Sequence, residues 1–406
     1  MEEYHFNIKK INIVFAYILL FFSLFDAARN YTVLPLWFGY IKDFSLYMLL
    51  LLNIGKITIP KNLGICFYVW FLSVLFFSLL GFINAEYDRF KILIACIKYI
   101  EMFLVFFIMS NTNKIFGHNS EYFIKIYVYG SLALGLVNIL GYMVDNPFVS
   151  PSLANENMPM GNYQGRITVG QPAIAIFPII LSFIYLFIKK KDYISYLLLN
   201  IYLIFIVLST SNTGVVSIVA VLLACMLYCI FIKCKKRMFA MLVLYITVAS
   251  TVLYYIVFIV DIYNIEYLKM YTNKILAIFG DSGDLQMNIR FQNWVTAISN
   301  MKGFDFLHGM GACGYYKYYE IQLIENTYVS TYVMYGFIGL FGMVMFWLRM
   351  TLYFGNKCIN KKEGLLGLSI CIIYMLHMVT LDLYMSYMLV FPLGLFINYA
   401  INEERK

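Results

Sequence analysis

Long apolar runs dominate this sequence and set the kind of fold it can adopt. About twelve of them come near the roughly 20 residues that an α-helix needs to cross a hydrocarbon core of about 30 Å. The composition agrees, because 62% of the 406 residues are hydrophobic and only 13% are charged. The sequence predicts one all-α polytopic membrane domain, residues 1–406, with about 12 transmembrane helices (range about 10–12). The predicted spans are 11–25, 32–54, 63–84, 92–110, 122–144, 171–188, 193–209, 213–232, 238–260, 326–348, 364–381 and 384–400.

Lysine and arginine residues indicate how such a chain sits in the membrane, because short cytoplasmic loops are enriched in them. If the N-terminus is cytoplasmic, most of these residues fall on the cytoplasmic side, including those of KKKD (189–192) and KCKKR (233–237). The formal net charge of +8 is then a topology signal beside anionic lipid headgroups, and it does not indicate nucleic acid. The pattern predicts that both termini are cytoplasmic.

Cysteine and histidine residues give no sign of a disulfide framework or of a metal site. Of the eight cysteines, only Cys313 falls in a predicted outward segment. The four histidines are far apart in sequence, and no CxxC, HExxH or glycine-rich nucleotide loop occurs. The sequence predicts neither a metal ion nor another cofactor.

Two predicted outward loops are long, 145–170 and 261–325, and long loops in compact proteins are usually functional or disordered. The second is predicted to be ordered, because apolar residues at helical spacing over 291–301 give an amphipathic helix that Gly303 ends. The glycines of HGMGACGYY (308–316) predict a tight turn whose backbone can approach a ligand. The alternative is an interfacial helix that only caps the bundle.

Polar residues mark the entrances of three predicted spans. Arg166 precedes a helix entered through Pro172, and a helix N-terminus beside a guanidinium suits an anion such as phosphate. The hairpin LSTSNTG (208–214) adds hydroxyls, and Glu325 and Asn326 open ENTYVSTYVMYGFIGL. Each has a plainer alternative: a headgroup-anchoring arginine, hydroxyls that cap helix ends, and an acidic residue that stabilises a helix N-terminus by about 0.3–1 kcal/mol.

Taken in order, these pieces resemble the O-antigen polymerase and O-antigen ligase superfamily. The pattern there is an arginine with a tryptophan four residues on, a Gly-x-Gly turn, and a His-Asn or Glu-Asn pair entering a helix that ends in Tyr-Gly-hydrophobic-x-Gly. The resemblance covers residues 160–345 by motif and the whole chain by topology. The matching residues are Arg290, Trp294, Gly309, Gly311, Asn326, Tyr335, Gly336 and Gly339.

The resemblance implies a GT-C-like bundle in the bacterial inner membrane, with its active site facing the periplasm. The implied substrates are glycans carried on undecaprenyl diphosphate, and the implied protein partner is a chain-length regulator. Two arginines would neutralise the departing diphosphate, and Glu325 would act as base on an acceptor hydroxyl. The catalytic residues implied are Arg166, Arg290 and Glu325, and the substrate-binding residues are Asn212, Trp294, Gly309, Gly311 and Asn326.

One departure from the pattern bears on the reaction. The ligases of this superfamily have a histidine before the asparagine, whereas this sequence has Glu325. The difference favours a polymerase that passes the growing chain to a sugar hydroxyl of the next repeat unit. The alternatives are a ligase that transfers polymer to lipid A core and a non-enzymatic flippase for lipid-linked sugars.

Overall fold

In a computed structural model, the chain is described over residues 2–29, 37–58, 61–83, 89–116, 120–144, 176–189, 192–208, 211–228, 247, 285–312, 324–381 and 387–402. Three predicted segments lie wholly or almost wholly outside these residues: the loop 145–170, the span 238–260 and the first part of the second long loop, 261–284.

Helices form the regular structure of these residues, and no strand occurs among them. In chain order they are α1 (Glu2–Arg29), α2 (Trp37–Asn53), a 3-10 turn (Ile54–Lys56), α3 (Lys61–Ile83), α4 (Arg89–Met109), α5 (Thr112–Phe116), α6 (Ser120–Val144), α7 (Phe177–Lys189), α8 (Tyr193–Leu208), α9 (Asn212–Tyr228), α10 (Leu285–Ser299), α11 (Asp305–His308), α12 (Thr327–Cys358), α13 (Lys362–Thr380) and α14 (Tyr387–Asn402). The amphipathic helix predicted over 291–301 is confirmed as α10.

Five of the described helices are long and apolar enough to cross a membrane. Their apolar stretches are Ile8–Phe25, Gly64–Ile83, Ile92–Met109, Thr327–Cys358 and Lys362–Thr380. Shorter apolar helices occur at Phe177–Lys189, Tyr193–Ile206, Thr213–Tyr228 and Leu389–Ile401. The chain is therefore an all-α membrane protein, whereas the count of about twelve spans and the GT-C-like arrangement stay predictions.

Helices α3 and α12 pack antiparallel against each other. Near one end, the Ser78 hydroxyl donates to Tyr335 Oη at 3.4 Å, and further along the rings of Phe67 and Phe346 lie 5.4 Å apart between centroids. In a membrane, such packing is driven by close van der Waals contact rather than by escape from water, so small residues at the crossing matter.

Gly342 of α12 offers a test of this crossing. A Cβ atom built there would lie 2.9 Å from the Trp70 amide nitrogen, so Gly342→Ala forces the backbones apart. We expect it to destabilise the protein by about 1–3 kcal/mol, measured as a lower Tm in detergent. Gly355→Ala on the same helix is the matched control, because nothing lies within 4 Å of its built Cβ atom. Equal Tm values for the two variants would contradict this packing.

The two ends of the bundle differ in their chemistry. At one, here called the basic end, Lys189 pairs with Glu363 at 2.5 Å and Lys357 donates to the Ala400 carbonyl oxygen at 2.7 Å. The other, here called the site end, brings together the end of α3, the starts of α9 and α12 and the end of α13. The residues that the sequence singles out in the second long loop lie at the site end.

Helix α12 is broken at Gly336, which has φ 63° and ψ −164°, a conformation that is essentially restricted to glycine. The break separates a short segment (327–335) from a long segment (337–358). The Thr331 hydroxyl donates to Met343 Sδ at 3.4 Å, although twelve residues of straight helix would separate them by about 18 Å. The short segment therefore folds back beside the long one. The sequence predicted a span over 326–348, and the structure adds a break within it at Gly336.

Candidate active site at one end of the bundle

Three helix ends meet at the site end. Thr327, the first residue of α12, donates from its hydroxyl to the Leu381 carbonyl oxygen, just after α13, at 2.6 Å. Thr213, in the first turn of α9, lies 3.0 Å from Thr380, the last residue of α13, between hydroxyl oxygens. The N-termini of α9 and α12 thus both lie against the end of α13. Each N-terminus carries partial positive charge, which favours an anion. One N–H group of each is already engaged by a capping side chain, Ser211 on α9 and Asn326 on α12.

Arg290 and Glu325 form an ion pair at this place, through Arg290 Nη2 and Glu325 Oε2. Arg290 belongs to α10, and Glu325 lies just before α12 begins. Their side chains are 36% and 24% exposed, so the pair is within reach of a ligand from solvent. The sequence singled out both residues as catalytic without pairing them, and the structure brings them together.

Helix α10 positions Arg290, and one face of its C-terminal half packs on the bundle. Ala297 and Met301, near its C-terminal end, are buried, and Trp294 packs partly buried against the core. Trp294 follows Arg290 by one turn, so the two side chains share a face of the helix. The indole N–H of Trp294 is buried and has no acceptor among the described residues. A donor beside a guanidinium suits a ligand rich in oxygen atoms.

Asn326 acts as the N-cap of α12. Its backbone is extended, with φ −159°, and its Oδ1 atom accepts a hydrogen bond from the Val329 N–H at 3.0 Å. Such a cap typically stabilises a helix by about 1 kcal/mol. The sequence predicted that Asn326 binds substrate, and that stays a prediction. Because Oδ1 is engaged in the cap, the amide NH₂ group is the part of the side chain left for a sugar.

The Gly-x-Gly turn is fastened to the break in α12. The N–H groups of Met310 and Gly311 donate to the carbonyl oxygens of Val333 and Met334, both at 2.9 Å. In an unbroken helix those two oxygens would accept from residues four positions further on, and the glycine at 336 removes those partners. The N–H groups of the turn thus replace the helical donors that these two carbonyl oxygens lack at the break.

The turn requires glycine because backbones meet there. Gly309 has φ 79°, and a Cβ atom built on it would lie 2.2 Å from the Met334 carbonyl group. Gly311 has φ 81°, and its built Cβ atom would lie 2.4 Å from Gly81 Cα. The close approach predicted for these glycines is therefore made to α12 and α3. That packing explains the glycines by itself, and their contact with substrate stays a prediction.

Two residues that hold the turn were not found from sequence. Gly81 sits in an ordinary apolar run of α3, and only its contact with Gly311 reveals why it is small. His308 Nδ1 lies 2.6 Å from the Gly309 carbonyl oxygen, which accepts a hydrogen bond from it. The rings of His308 and Phe77 lie 6.0 Å apart between centroids. His308 is visible in the motif HGMG, but nothing in that motif indicates a partner on α3.

The remaining predicted site residues are Arg166, which precedes the span 171–188, and Asn212, in the hairpin 208–214. Arg166 lies outside the described residues. Asn212 begins α9, next to the contact between Thr213 and Thr380, which puts it at the site end. The neighbouring Ser211 accepts a hydrogen bond at its hydroxyl oxygen from the Gly214 N–H at 3.2 Å. One hydroxyl of the hairpin thus caps the helix, as the plainer interpretation of that motif predicts.

No family model matches this sequence, and no curated protein matches it. Across the part of the chain that the structure describes, no group of three or more His, Cys, Asp and Glu side chains is placed to hold a metal ion. What the described site offers is a guanidinium for an anion, a carboxylate able to accept a proton, and two helix N-termini.

Proposed function

We propose that the protein is a membrane glycosyltransferase that polymerises lipid-linked oligosaccharide repeat units into O-antigen. One observation carries the proposal: the partly exposed ion pair of Arg290 and Glu325 beside the start of the broken helix α12. A cation and a base side by side are the groups needed to transfer a sugar from a lipid diphosphate to a hydroxyl. The order of motifs from Arg166 to Gly339 supports the polymerase and ligase superfamily, and Glu325 in place of the histidine of the ligases favours a polymerase.

The leaving group sets the first requirement, because a lipid diphosphate departs with negative charge. Arg290 would bind its oxygen atoms through charge-assisted hydrogen bonds, and the N-termini of α9 and α12 would add partial positive charge. Such donors act most strongly when they are fixed in place before the reaction, as the docked helix α10 fixes Arg290. Arg166 would be the second arginine.

The acceptor sets the second requirement, because a sugar hydroxyl is a weak nucleophile. Its oxygen attacks C1 of the reducing-end sugar of the growing chain. The bond from C1 to the diphosphate oxygen breaks, and undecaprenyl diphosphate leaves with its electron pair. Glu325 accepts the hydroxyl proton, and the new glycosidic bond joins the chain to the next repeat unit. Trp294 and the Asn326 NH₂ group would contact the sugars.

The charge at the two ends favours one orientation in the bacterial inner membrane. Lysines cluster at the basic end, where Lys189 and Lys357 make their contacts, and cytoplasmic segments are enriched in such residues. The basic end would then face the cytoplasm together with both termini. The site end would face the periplasm, where it would receive glycans on undecaprenyl diphosphate and a chain-length regulator.

The proposal is tested by the surface glycolipids of a deletion strain. We expect the deletion to leave lipid A core with a single repeat unit, the wild-type gene to restore the ladder, and Glu325→Gln at equal membrane level to leave it absent. Glu363→Gln is the matched control, because Glu363 is also ion-paired but lies at the basic end. A deletion that removes every repeat from the core contradicts the polymerase and favours the ligase or the flippase. A ladder restored by Glu325→Gln removes Glu325 as the base.

A further inference from the structure

We infer that helix α10 and the loop 303–312, which contains α11, attach to the membrane surface at the site end. The exposed apolar side chains that make the attachment are here called the apolar rim: Phe291, Val295, Phe304, Phe306 and Leu307. The partner is a lipid surface, at the boundary between headgroups and acyl chains. This interaction surface goes beyond the proposed function, and the attachment itself does not depend on it.

Helix α10 is apolar on two opposite sides. Ala297 and Met301 lie on the side that is buried against the bundle. Phe291 and Val295 lie one turn apart on another side, and the Phe291 side chain is 62% exposed. A helix that covers a bundle in water needs only one apolar face. The second face indicates a second apolar environment, as in helices that lie in the plane of a membrane surface.

The loop after α10 has the same character. Phe304 is 78% exposed, and Phe306 and Leu307 are exposed as well, with only Asp305 between them. Single exposed apolar side chains are ordinary on a protein surface, whereas a group of large ones marks an interaction site. These side chains lie outside the apolar helices long enough to cross a membrane, so the loop touches lipid from the surface or does not touch it.

The lipid-facing side of α12 lies next to this loop. A Cβ atom built on Gly336 would lie 2.3 Å from the Leu307 carbonyl group, so the loop contacts α12 at its break. The following residue, Phe337, is exposed, and its ring stacks on that of the exposed Phe341 with centroids 5.9 Å apart. Because α12 is long and apolar enough to cross the membrane, these exposed rings face lipid.

Helix α3 gives the same placement from the other side of the loop. The rings of His308 and Phe77 lie 6.0 Å apart between centroids, and the neighbouring Phe76 is exposed on α3. The apolar rim thus continues the lipid-facing surface of two helices that are suited to cross the membrane. That continuity favours lipid over a protein partner. Aromatic residues are enriched at this level, where a membrane meets water.

The attachment fixes the level of Arg290 in the membrane. Arg290 directly precedes Phe291 in α10, and its side chain is partly exposed. If Phe291 lies at the boundary between headgroups and acyl chains, the guanidinium lies at the level of the lipid phosphates. Only this last consequence, a guanidinium placed for the diphosphate of the donor, rests on the proposed function.

The test is tryptophan fluorescence of the full-length protein in lipid nanodiscs. Phe304→Trp and Phe291→Trp each add one reporter, and wild type gives the emission of the four native tryptophans in the same lipid. We expect lipids with brominated acyl chains to remove most of the added emission, and acrylamide in the water to remove little. Phe337→Trp is the reference for a side chain in lipid. Asn360→Trp, in the exposed turn at the basic end, is the reference for water.

The outcomes separate the attachment from the proposed function. Loss of the added emission in brominated lipid at both positions upholds the attachment, and a deletion strain with normal glycan length would then reject the polymerase alone. Emission that acrylamide removes and brominated lipid spares places the apolar rim in water and overturns the inference. Emission that neither quencher removes shows that protein covers the rim, such as a second copy of the chain, and this overturns it too. Loss at only one position overturns the attachment of the other element.

Discussion

Gly336→Ala is expected to remove the folded site while leaving the rest of the bundle able to form. Alanine at φ 63° and ψ −164° costs on the order of 1–3 kcal/mol in backbone strain alone. Its Cβ atom would also lie 2.3 Å from the Leu307 carbonyl group, so the loop that carries the Gly-x-Gly turn must move. The alternative is that α12 straightens, which separates Thr331 from Met343 and carries Glu325 away from α13. Either response abolishes activity.

Limited proteolysis measures that outcome. We expect faster cleavage within residues 303–312 in Gly336→Ala, because the hydrogen bonds from Met310 and Gly311 to α12 would be lost. Gly355→Ala is the control on the same helix, since its built Cβ atom meets nothing within 4 Å, and it should be cleaved as slowly as wild type. Slow cleavage and full activity of Gly336→Ala would show that the break is not required.

Much of the fold could be predicted from sequence because lipid imposes simple rules. Apolar runs of membrane length gave the all-α class, and apolar residues at helical spacing gave α10 inside an otherwise polar loop. The break at Gly336 could not be predicted in this way. A glycine inside an apolar run is common in membrane helices, and the positive φ of Gly336 goes with a contact to Leu307 and His308 that no local pattern reveals.

The residues of the candidate site could likewise be predicted from sequence, whereas their arrangement could not. Glu325 stood out because a carboxylate leads into an apolar segment, and Arg290 because it precedes Trp294 by four residues in an outward loop. Their pairing could not be predicted, since it depends on where α10 docks and on how the short segment of α12 folds back. Asn326 and Gly309 were singled out as well, and the structure gives each a structural role that a motif alone does not separate from substrate binding.

The break in α12 and the candidate site depend on the same close contacts between chain segments. Close backbone contacts at glycines hold the segments next to the charged pair. Gly81, Gly311 and Gly336 let α3, the loop 303–312 and α12 meet closely; Glu325 comes just before α12, and Arg290 lies on α10, which leads into that loop. Substitutions at the glycines should therefore damage stability and activity together, whereas substitutions of the charged pair should damage activity alone.

Arg290→Ala tests the expectation that substitution of the charged pair damages activity more than stability. Removing one group that stabilises a departing anion typically slows a reaction by about 10²–10³-fold, and we expect a loss of that size. Stability should fall by no more than about 1 kcal/mol, because the ion pair is 36% and 24% exposed. Arg290→Lys keeps the charge without the planar fork, so we expect an intermediate rate.

The measurement is the rate of the proposed reaction, the joining of lipid-linked repeat units by the purified protein, with Tm recorded for each variant. Lys302→Ala is the control, because it removes an exposed positive charge from the same loop at a residue outside the site. If Lys302→Ala slowed the reaction as much as Arg290→Ala, the loop would act through its overall charge and not through a bound diphosphate. Because a guanidinium fixed beside the leaving group stabilises the negative charge that develops there, we expect Arg290→Ala to lower kcat with little change in Tm, and Lys302→Ala to leave both unchanged.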